Sequence, residues 1–147
     1  MTIFMDLIRR NTDYALRAMV FLATHRDQGP ASAKTIATEM DFSHQLACKL
    51  MQQLAKAGLV RSLMGKNGGF ELARDPADIT LLEMIEAIQG QVRMSACVLG
   101  IQSCKHFGQC PIRRKLRGLQ DTVTDHLRQT TLQELTVAKK GRSFNTF

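Results

Sequence analysis

The 147-residue chain has only four cysteines and no long apolar run. A chain of this length can bury a hydrophobic core without disulfide bonds, so the few cysteines are not needed to hold the fold together. We find no cationic start followed by an apolar run and a small-residue cleavage site, as a secretory signal would show. The richest apolar stretch, residues 18–23, is far shorter than the roughly 20 residues of a membrane span. We therefore expect a soluble protein of the reducing cytoplasm.

The sequence also lacks the usual signatures of catalysis. It has no phosphate-binding glycine loop, no credible Ser/His/Asp set and no histidine pair at metal-ligand spacing. It does carry 20 basic against 13 acidic residues, a formal net charge of +7. A basic surface suggests nucleic acid or an anionic membrane as the partner. The basic run at 113–117 stands at a predicted helix start, which favours a solvated or phosphate-facing edge over a membrane surface. We predict a binding protein and not an enzyme.

Apolar spacing predicts three helices in the first part of the chain. The first spans 12–24 with Thr12 as its N-cap, and the second spans 33–40 after a Gly-Pro break. The third runs from its cap Ser43 to about residue 57, where a glycine follows. Helix, tight turn, helix is the sequence pattern of a helix-turn-helix DNA reader.

Polar side chains cover the predicted outer face of the third helix. Gln45 and Gln52 can hydrogen-bond to base edges in the major groove, and Lys49 can reach a guanine edge or a phosphate. Ser43 and His44 stand where the start of the helix meets the DNA backbone. We predict that these five residues contact DNA.

Two short alternating runs, 59–63 and 70–74, follow the third helix and are joined by a glycine-rich turn. They predict a β-hairpin. An ordinary solvated turn is the alternative, but a basic hairpin directly after a helix-turn-helix is typical of a wing that lies along DNA. Arg61, Lys66 and Asn67 are its candidate DNA contacts.

Two more helices are predicted beyond the hairpin. One spans 81–88, and the other is a helix of about twenty residues that starts at Pro111. Apolar residues follow one narrow stripe along the long helix, at positions 112, 116, 119, 123 and 127. Such a stripe favours a dimerisation helix; packing onto the first helix of the same chain is the alternative. A last turn is expected at 131–135.

The predicted fold is therefore mainly α with a small β-hairpin: a winged helix-turn-helix with a long C-terminal dimerisation helix. The expected divisions are a DNA-binding domain at 1–90, a cysteine-rich loop at 91–110, the dimerisation helix and short last helix at 111–138, and a flexible tail at 139–147.

The most informative motif is a cluster of three cysteines, Cys97, Cys104 and Cys110, separated by six and five residues. Glycines in both gaps allow sharp turns that could bring the sulfurs together. Thiolates favour soft metal centres such as iron–sulfur clusters, Zn²⁺ or Cu(I). Zinc is the weaker interpretation because structural zinc sites usually use paired Cys-x-x-Cys knuckles. A loop with incidental free thiols is the remaining alternative.

Together these motifs resemble the winged-helix iron–sulfur regulators of bacteria typified by IscR and NsrR, the Rrf2 family. The resemblance covers nearly the whole chain, and its pattern is closer to NsrR, a nitric-oxide-responsive repressor. It is carried by Thr-Asp-Tyr-Ala-Leu-Arg-Ala at 12–18, Leu-Ala-Lys-Ala-Gly-Leu-Val at 54–60, Gly-Lys-Asn-Gly-Gly-Phe at 65–70 and the late cysteine cluster.

The resemblance implies a homodimeric repressor that reads a palindromic operator and holds a 2Fe–2S or 4Fe–4S cluster on the three cysteines. Nitric oxide, redox state or iron–sulfur status would be its signal. Asp13 matches the position at which the NsrR pattern supplies a fourth ligand from the opposite subunit. His106 is the rival ligand, because Arg113 stands where the IscR pattern places its histidine. Asp13 could instead simply oppose the helix macrodipole.

An alternative function also stays open: a clusterless or zinc-containing winged-helix regulator that senses through its thiols. Cys48 lies on the predicted DNA face of the third helix, near Gln45, Lys49 and Gln52. We interpret it as a small boundary residue in preference to a second redox switch.

Overall fold

The computed structural model of the protein describes residues 6–99 and 104–137, which form helices and one two-stranded antiparallel hairpin. The elements are α1 Arg10–Thr24, α2 Ala33–Met40, α3 His44–Lys56, β1 Val60–Leu63, β2 Gly69–Leu72, α4 Leu81–Gln89, α5 Pro111–Gln129 and α6 Leu132–Val137. The predicted mainly helical fold with a small hairpin is confirmed. The predicted tail at 139–147 lies outside the described residues.

Short polar side chains begin three of the helices. Ser32 accepts a hydrogen bond from the Thr35 backbone at the start of α2, at 3.0 Å. Ser43 accepts one from the Leu46 backbone at the start of α3, at 3.2 Å. At the start of α4, Thr80 and Glu83 form a reciprocal capping box. Each of these bonds satisfies an amide that has no partner within its own helix.

The predicted start of α1 at Thr12 is wrong. The helix begins at Arg10, its N-cap is Arg9, and no side chain caps it. Thr12 lies inside the helix and is fully buried, and its hydroxyl donates to Oε1 of Gln89 at 2.7 Å. A long-range partner on α4 therefore replaces the local capping role that the sequence favours for threonine.

The main core is built from the inner faces of α1, α2, α3 and α4. Met19, Ile36 and Leu50 are completely buried at its centre. Leu132 of α6 joins this core and is also completely buried. Two backbone hydrogen bonds of 2.8 Å, Leu81 to Thr130 and Leu132 to Ile79, fasten the link between α5 and α6 to the start of α4. The helix-turn-helix and the last helix therefore share one core.

The hairpin is anchored to the loop before α2. Its register pairs Val60 with Leu72 and Leu63 with Gly69. Phe70 exchanges two backbone hydrogen bonds with Ala31, at 2.8 and 2.9 Å. A Cβ atom on Gly69, whose φ is +151°, would lie 2.5 Å from the carbonyl oxygen of Ala31. Glycine is required at this crossing because any side chain would collide with the neighbouring backbone.

The apolar stripe of α5 is buried only toward its C-terminal end. Leu127 is 9% exposed and packs with Leu82 and Ile85 of α4. In contrast, Ile112 is 68% exposed and Leu119 is 46% exposed. The end of α5 near Leu127 therefore packs mainly on α4 of its own chain, whereas the alternative interpretation expected the first helix. The other end presents apolar surface, and its role in dimerisation stays a prediction.

Candidate nucleic-acid interface and cysteine segment

The polar residues predicted to contact DNA lie on one side of α3. Because each residue turns a helix by about 100°, positions 44, 45, 48, 49 and 52 fall within an arc of about 140° around the helix axis. Four of them are exposed, namely His44, Gln45, Lys49 and Gln52. The buried residues Ala47, Leu50, Met51 and Leu54 occupy the opposite side. This arrangement presents donors and acceptors outward on a helix whose back is locked in the core.

Two residues at the start of α3 have local partners. The Ser43 hydroxyl already caps the helix, so its hydrogen-bonding role is structural in this state. The imidazole Nε2 of His44 lies 3.6 Å from Sγ of Cys48, one turn along the helix. Cys48 is half-buried, and its role as a boundary residue stays a prediction.

The hairpin carries the other predicted DNA contacts. Lys66 and Asn67 are exposed at its turn, and Met64 beside them is 95% exposed. Arg61 is exposed on β1, but its guanidinium forms an ion pair with Glu71 on the facing strand, with Nε to Oε1 at 2.6 Å. Lys66 near the wing tip has no ion-pair partner among the described residues, whereas Arg61 must leave its partner or share its charge to meet a phosphate.

The three clustered cysteines lie on a segment bounded by α4 and α5, and all are free thiols. Cys97 is half-buried in a single 3₁₀ turn, with Sγ 3.1 Å from the hydroxyl of Ser95. Cys104 is exposed, and Cys110 is half-buried immediately before Pro111 opens α5. Residues 100–103 between the first two lie outside the described part. Across residues 6–99 and 104–137, no three His, Cys, Asp or Glu side chains lie close enough to hold a metal ion.

Arg113 connects the two ends of this cysteine segment. Its Nε donates to the carbonyl oxygen of Cys97 at 3.0 Å, and its guanidinium carbon lies 4.0 Å from the centroid of the Phe107 ring. Arg114 and Arg117 line a groove of about 580 Å³ with it, next to Cys110. The sequence places Arg113 in a basic run and at the position of the IscR histidine, but it does not indicate this contact.

The two candidates for a fourth ligand differ in their surroundings. Asp13 lies in the first turn of α1, where Oδ2 pairs with Arg17 at 2.9 Å. Its carboxylate is about half exposed in this pair. His106 is exposed within the turn between Cys104 and Cys110. Their roles as ligands stay predictions.

Two glutamines that were not predicted as functional from the sequence form hydrogen bonds near the cysteine segment and near the start of α1. Gln120 of α5 is 6% exposed, and its amide bonds to the backbone of Val92 and Met94 at 2.8 and 2.7 Å. Gln89 at the end of α4 bonds to the chain around the start of α1. Gln120 had a signal: it lies four residues after Leu116 on the apolar side of α5. Gln89 had none.

A helix-turn-helix with an outward polar face, followed by an anchored wing, defines the class of winged-helix DNA-binding regulators. Comparison with known proteins makes this specific. A family profile described as "Rrf2: Iron-dependent Transcriptional regulator" matches residues 8–138. The chain belongs to the Rrf2 family of transcriptional regulators, as the motifs predicted, and these are regulators and not enzymes.

Three similar proteins illustrate the range of the family. The HTH-type transcriptional regulator IscR of Photorhabdus laumondii is 32% identical over 122 residues, 83% of this chain and 74% of that protein. The HTH-type transcriptional regulator NsrR of Bacillus licheniformis is 30% identical over 125 residues, 84% of this chain and 87% of that protein. The solved structure of CymR, the global cysteine regulator of B. subtilis, is 28% identical with a TM-score of 0.76, covering 93% of this chain and 100% of that one.

No helix within the described residues combines the length and apolar character needed to cross a membrane.

Proposed function

We propose that this regulator is a repressor whose affinity for its operator is controlled by an iron–sulfur cluster bound through Cys97, Cys104 and Cys110. The observation that carries the proposal is the position of three free thiols on one short segment between α4 and α5. Soft thiolates suit iron–sulfur chemistry. Because the thiols do not converge in the described state, cluster binding requires the segment to rearrange.

The surroundings of the segment supply a reason why its rearrangement would matter. It joins α4, whose residues contribute to the core behind α3, the proposed reading helix, to α5, which presents exposed apolar residues. A second copy of the chain on that face would pair two reading helices and suit a palindromic operator. When bound, the cluster would supply a group that reacts with nitric oxide or oxidants. A ten- to hundredfold change in DNA affinity, about 1.4 to 3 kcal/mol, is enough to change operator occupancy.

Spectroscopy on protein purified without oxygen tests the cofactor. We expect visible thiolate-to-iron absorption, with iron and acid-labile sulfide that depend on each of the three clustered cysteines. Cys48→Ser is the matched control and should leave cluster content unchanged. Colourless, iron-free protein that cannot be reconstituted would overturn the proposal. Bleaching by nitric oxide at low stoichiometry would assign the NsrR-like signal; insensitivity would shift the signal to redox state or iron–sulfur supply.

The fourth ligand is tested by comparing Asp13→Ala with His106→Ala. We expect Asp13→Ala to shorten the lifetime of the cluster in air, because its carboxylate is accessible once Arg17 is displaced. If His106→Ala has this effect and Asp13→Ala does not, the ligand is His106. If neither changes the spectrum or the lifetime, both assignments are wrong.

A second candidate is a regulator that senses through its thiols without a cluster, or with zinc. The lack of a converged three-ligand group in the described residues favours it, as does similarity to a global cysteine regulator. In that case the protein purified without oxygen is colourless, and DNA affinity changes when the thiols are oxidised or alkylated. A zinc site would instead give stoichiometric metal without colour and would tolerate air.

The operator itself is found by selection from a random-sequence duplex library. Binding to the selected duplex should weaken when Gln45 or Gln52 is replaced by alanine, with base preference relaxed at the contacted position, and Lys49→Ala should weaken it as well. Replacement of Lys66 should weaken binding to all sequences alike. Unchanged affinity and preference in all four variants would refute the assignment of this face.

A further inference from the structure

A basic groove lies between the start of α1 and the reading helix. It has a volume of about 360 Å³ and is lined by Arg9, Arg10, Asn11, Thr12, Lys49, Gln53, Ile88 and Gln89. Three of these residues are cationic, they come from two different elements, and no acidic residue is among the described lining. The nearby Asp13 carboxylate is already paired with Arg17. The groove therefore favours an anion.

The cations of this groove are exposed, and the guanidinium of Arg10 is also oriented by a hydrogen bond. Nε of Arg10 donates to the Tyr14 hydroxyl at 3.1 Å, which directs its guanidinium along α1. Arg9 is exposed at the N-cap of the helix. Lys49 is exposed on the same side of α3 as Gln45 and Gln52. A duplex read by α3 passes a row of phosphates beside the helix, and these are the anions in reach.

Gln89 sets the position of the start of α1 relative to α4. Its Oε1 accepts from the Thr12 hydroxyl at 2.7 Å and from the Arg9 backbone amide at 3.1 Å. Its Nε2 donates to the carbonyl oxygen of Leu7 at 3.0 Å. One side chain thus holds residues 7, 9 and 12, and the backbone of Arg9 is placed directly by it.

Gln120 holds the chain on the other side of Gln89. Its Nε2 donates to the Val92 carbonyl at 2.8 Å, and its Oε1 accepts from the Met94 amide at 2.7 Å. Residues 92–94 are therefore fastened to α5 two residues before the 3₁₀ turn that contains Cys97. Between the two glutamine contacts the backbone turns at Gly90, with φ +81°. This short connector links the cysteine segment to the groove.

We propose that the groove of Arg9, Arg10 and Lys49 binds a DNA phosphate. We further propose that Gln89 and Gln120 position the groove residues at the start of α1 according to the state of the cysteine segment. The regulatory half of this inference rests on the proposed function. Movement of residues 92–94 displaces Gln89, and the amide of Arg9 then loses its partner. The phosphate contact therefore depends on the connector, because Arg9 both lines the groove and bonds through its backbone amide to Gln89.

The phosphate contact is tested with Arg9→Gln and Arg10→Gln, and with Arg128→Gln as control. Arg128 is paired with Asp125 at the far end of α5. The probe is a duplex selected by the wild-type protein, together with a random-sequence duplex. We expect each groove variant to lower affinity for both duplexes about three- to tenfold and to reduce the salt slope by about 1. Unchanged slopes in both variants would overturn the assignment.

The coupling is tested with Gln89→Leu and Gln120→Leu, using Gln133→Leu on the exposed face of α6 as control. The readout is the ratio of DNA affinities between cluster-loaded and cluster-free protein, or between reduced and oxidised thiols if no cluster forms. We expect the ratio to fall to about twofold or less in both variants while cluster or thiol content is retained. A merely structural role would lower both affinities and leave the ratio intact, which would overturn the proposal.

A milder variant covers the case in which the leucine variants do not fold. Gln89→Glu keeps the acceptor for Thr12 and Arg9 and loses the donor to Leu7. Its ratio should lie between those of the wild type and Gln89→Leu, and a wild-type ratio would count against Gln89. Wild-type protein whose DNA affinity responds to neither cluster nor thiol state would refute the proposed function, whereas the salt-slope experiment still decides the groove.

Discussion

Arg113 donates a hydrogen bond from Nε to the backbone carbonyl of Cys97, 16 residues earlier in the chain, at 3.0 Å. The same guanidinium stacks on the Phe107 ring, with its carbon 4.0 Å from the ring centroid. One half-buried side chain at the start of α5 therefore holds both sides of the cysteine segment. A planar, permanently charged group suits this double contact better than an ammonium does.

Arg113→Met should loosen the segment and make its thiols more reactive. Loss of a hydrogen bond worth about 0.5–1.5 kcal/mol raises the open population roughly two- to tenfold. We expect Cys97 to be alkylated faster by a similar factor in metal-free protein, measured by mass spectrometry of peptides after timed quenching. Arg114→Met, at an exposed neighbour, is the control. Equal alkylation rates in the two variants would show that Arg113 does not restrain the cysteine segment.

Thr12→Val should destabilise the protein by about 1–2 kcal/mol. The substitution keeps the shape of a fully buried side chain but removes the donor to Gln89, so a carbonyl oxygen in partly buried surroundings loses a partner. Thr12→Ser keeps the hydroxyl and loses a methyl group, and it should cost about 1 kcal/mol or less. Urea denaturation measures both, and a valine variant as stable as wild type would show that the bond contributes nothing.

Gly69→Ala should disrupt the wing. The added Cβ would lie 2.5 Å from the Ala31 carbonyl oxygen, in a backbone region with φ +151°. Strain of this kind costs about 1–3 kcal/mol, and the collision adds to it. Gly118→Ala in α5 should instead stabilise the protein, because open space surrounds the added Cβ and alanine is favoured over glycine in a helix by about 0.5–1 kcal/mol. Thermal unfolding of the two variants should therefore shift in opposite directions.

Glu83 should make folding stability depend on pH in the acidic range. Partial burial alone would raise the pKa of this carboxyl, but hydrogen bonds from Thr80 and Arg74 outweigh it and lower the pKa below the ordinary value of 4.5. Since the folded-state pKa is the lower one, the stabilisation is complete above the ordinary value and disappears as pH falls through the folded-state value. The carboxyl is 41% exposed and screened by solvent, so the effect is a few tenths of a kcal/mol.

The measurement is the free energy of unfolding of wild type and Glu83→Gln across acidic pH. Glutamine retains the capping geometry at Thr80 and removes the charge. The stability difference should be constant at neutral pH and shrink as the solution becomes more acidic. A difference that grows on acidification would reverse the assigned direction of the pKa shift.

Local rules predicted the helix-turn-helix and the wing well because those elements depend on neighbouring residues. Ser32, Ser43 and Thr80 cap their helices through bonds to residues three positions away. The start of α1 was wrong because Thr12 bonds to a residue 77 positions away, a contact that local propensity does not encode. The exposed face of α3 followed from helical spacing alone.

The cysteine segment shows a different limit of sequence reasoning. Spacing indicates that Cys97, Cys104 and Cys110 belong together, but it does not give the conformation of a segment whose partners lie elsewhere. Arg113 and Gln120 hold that segment from α5. Their roles depend on how α5 packs on the rest of the chain, and only the tertiary structure shows that packing.

The wing owes its shape to the backbone, through the Ala31–Phe70 hydrogen bonds and the two glycines at 68 and 69. Its exposed side chains at the tip, Met64, Lys66 and Asn67, form no hydrogen bond or ion pair with the other described residues. A combinatorial library at these three positions should therefore keep the fold of the wing. The wing's preference for particular DNA sequences can then change, in nature or by design, with little effect on stability.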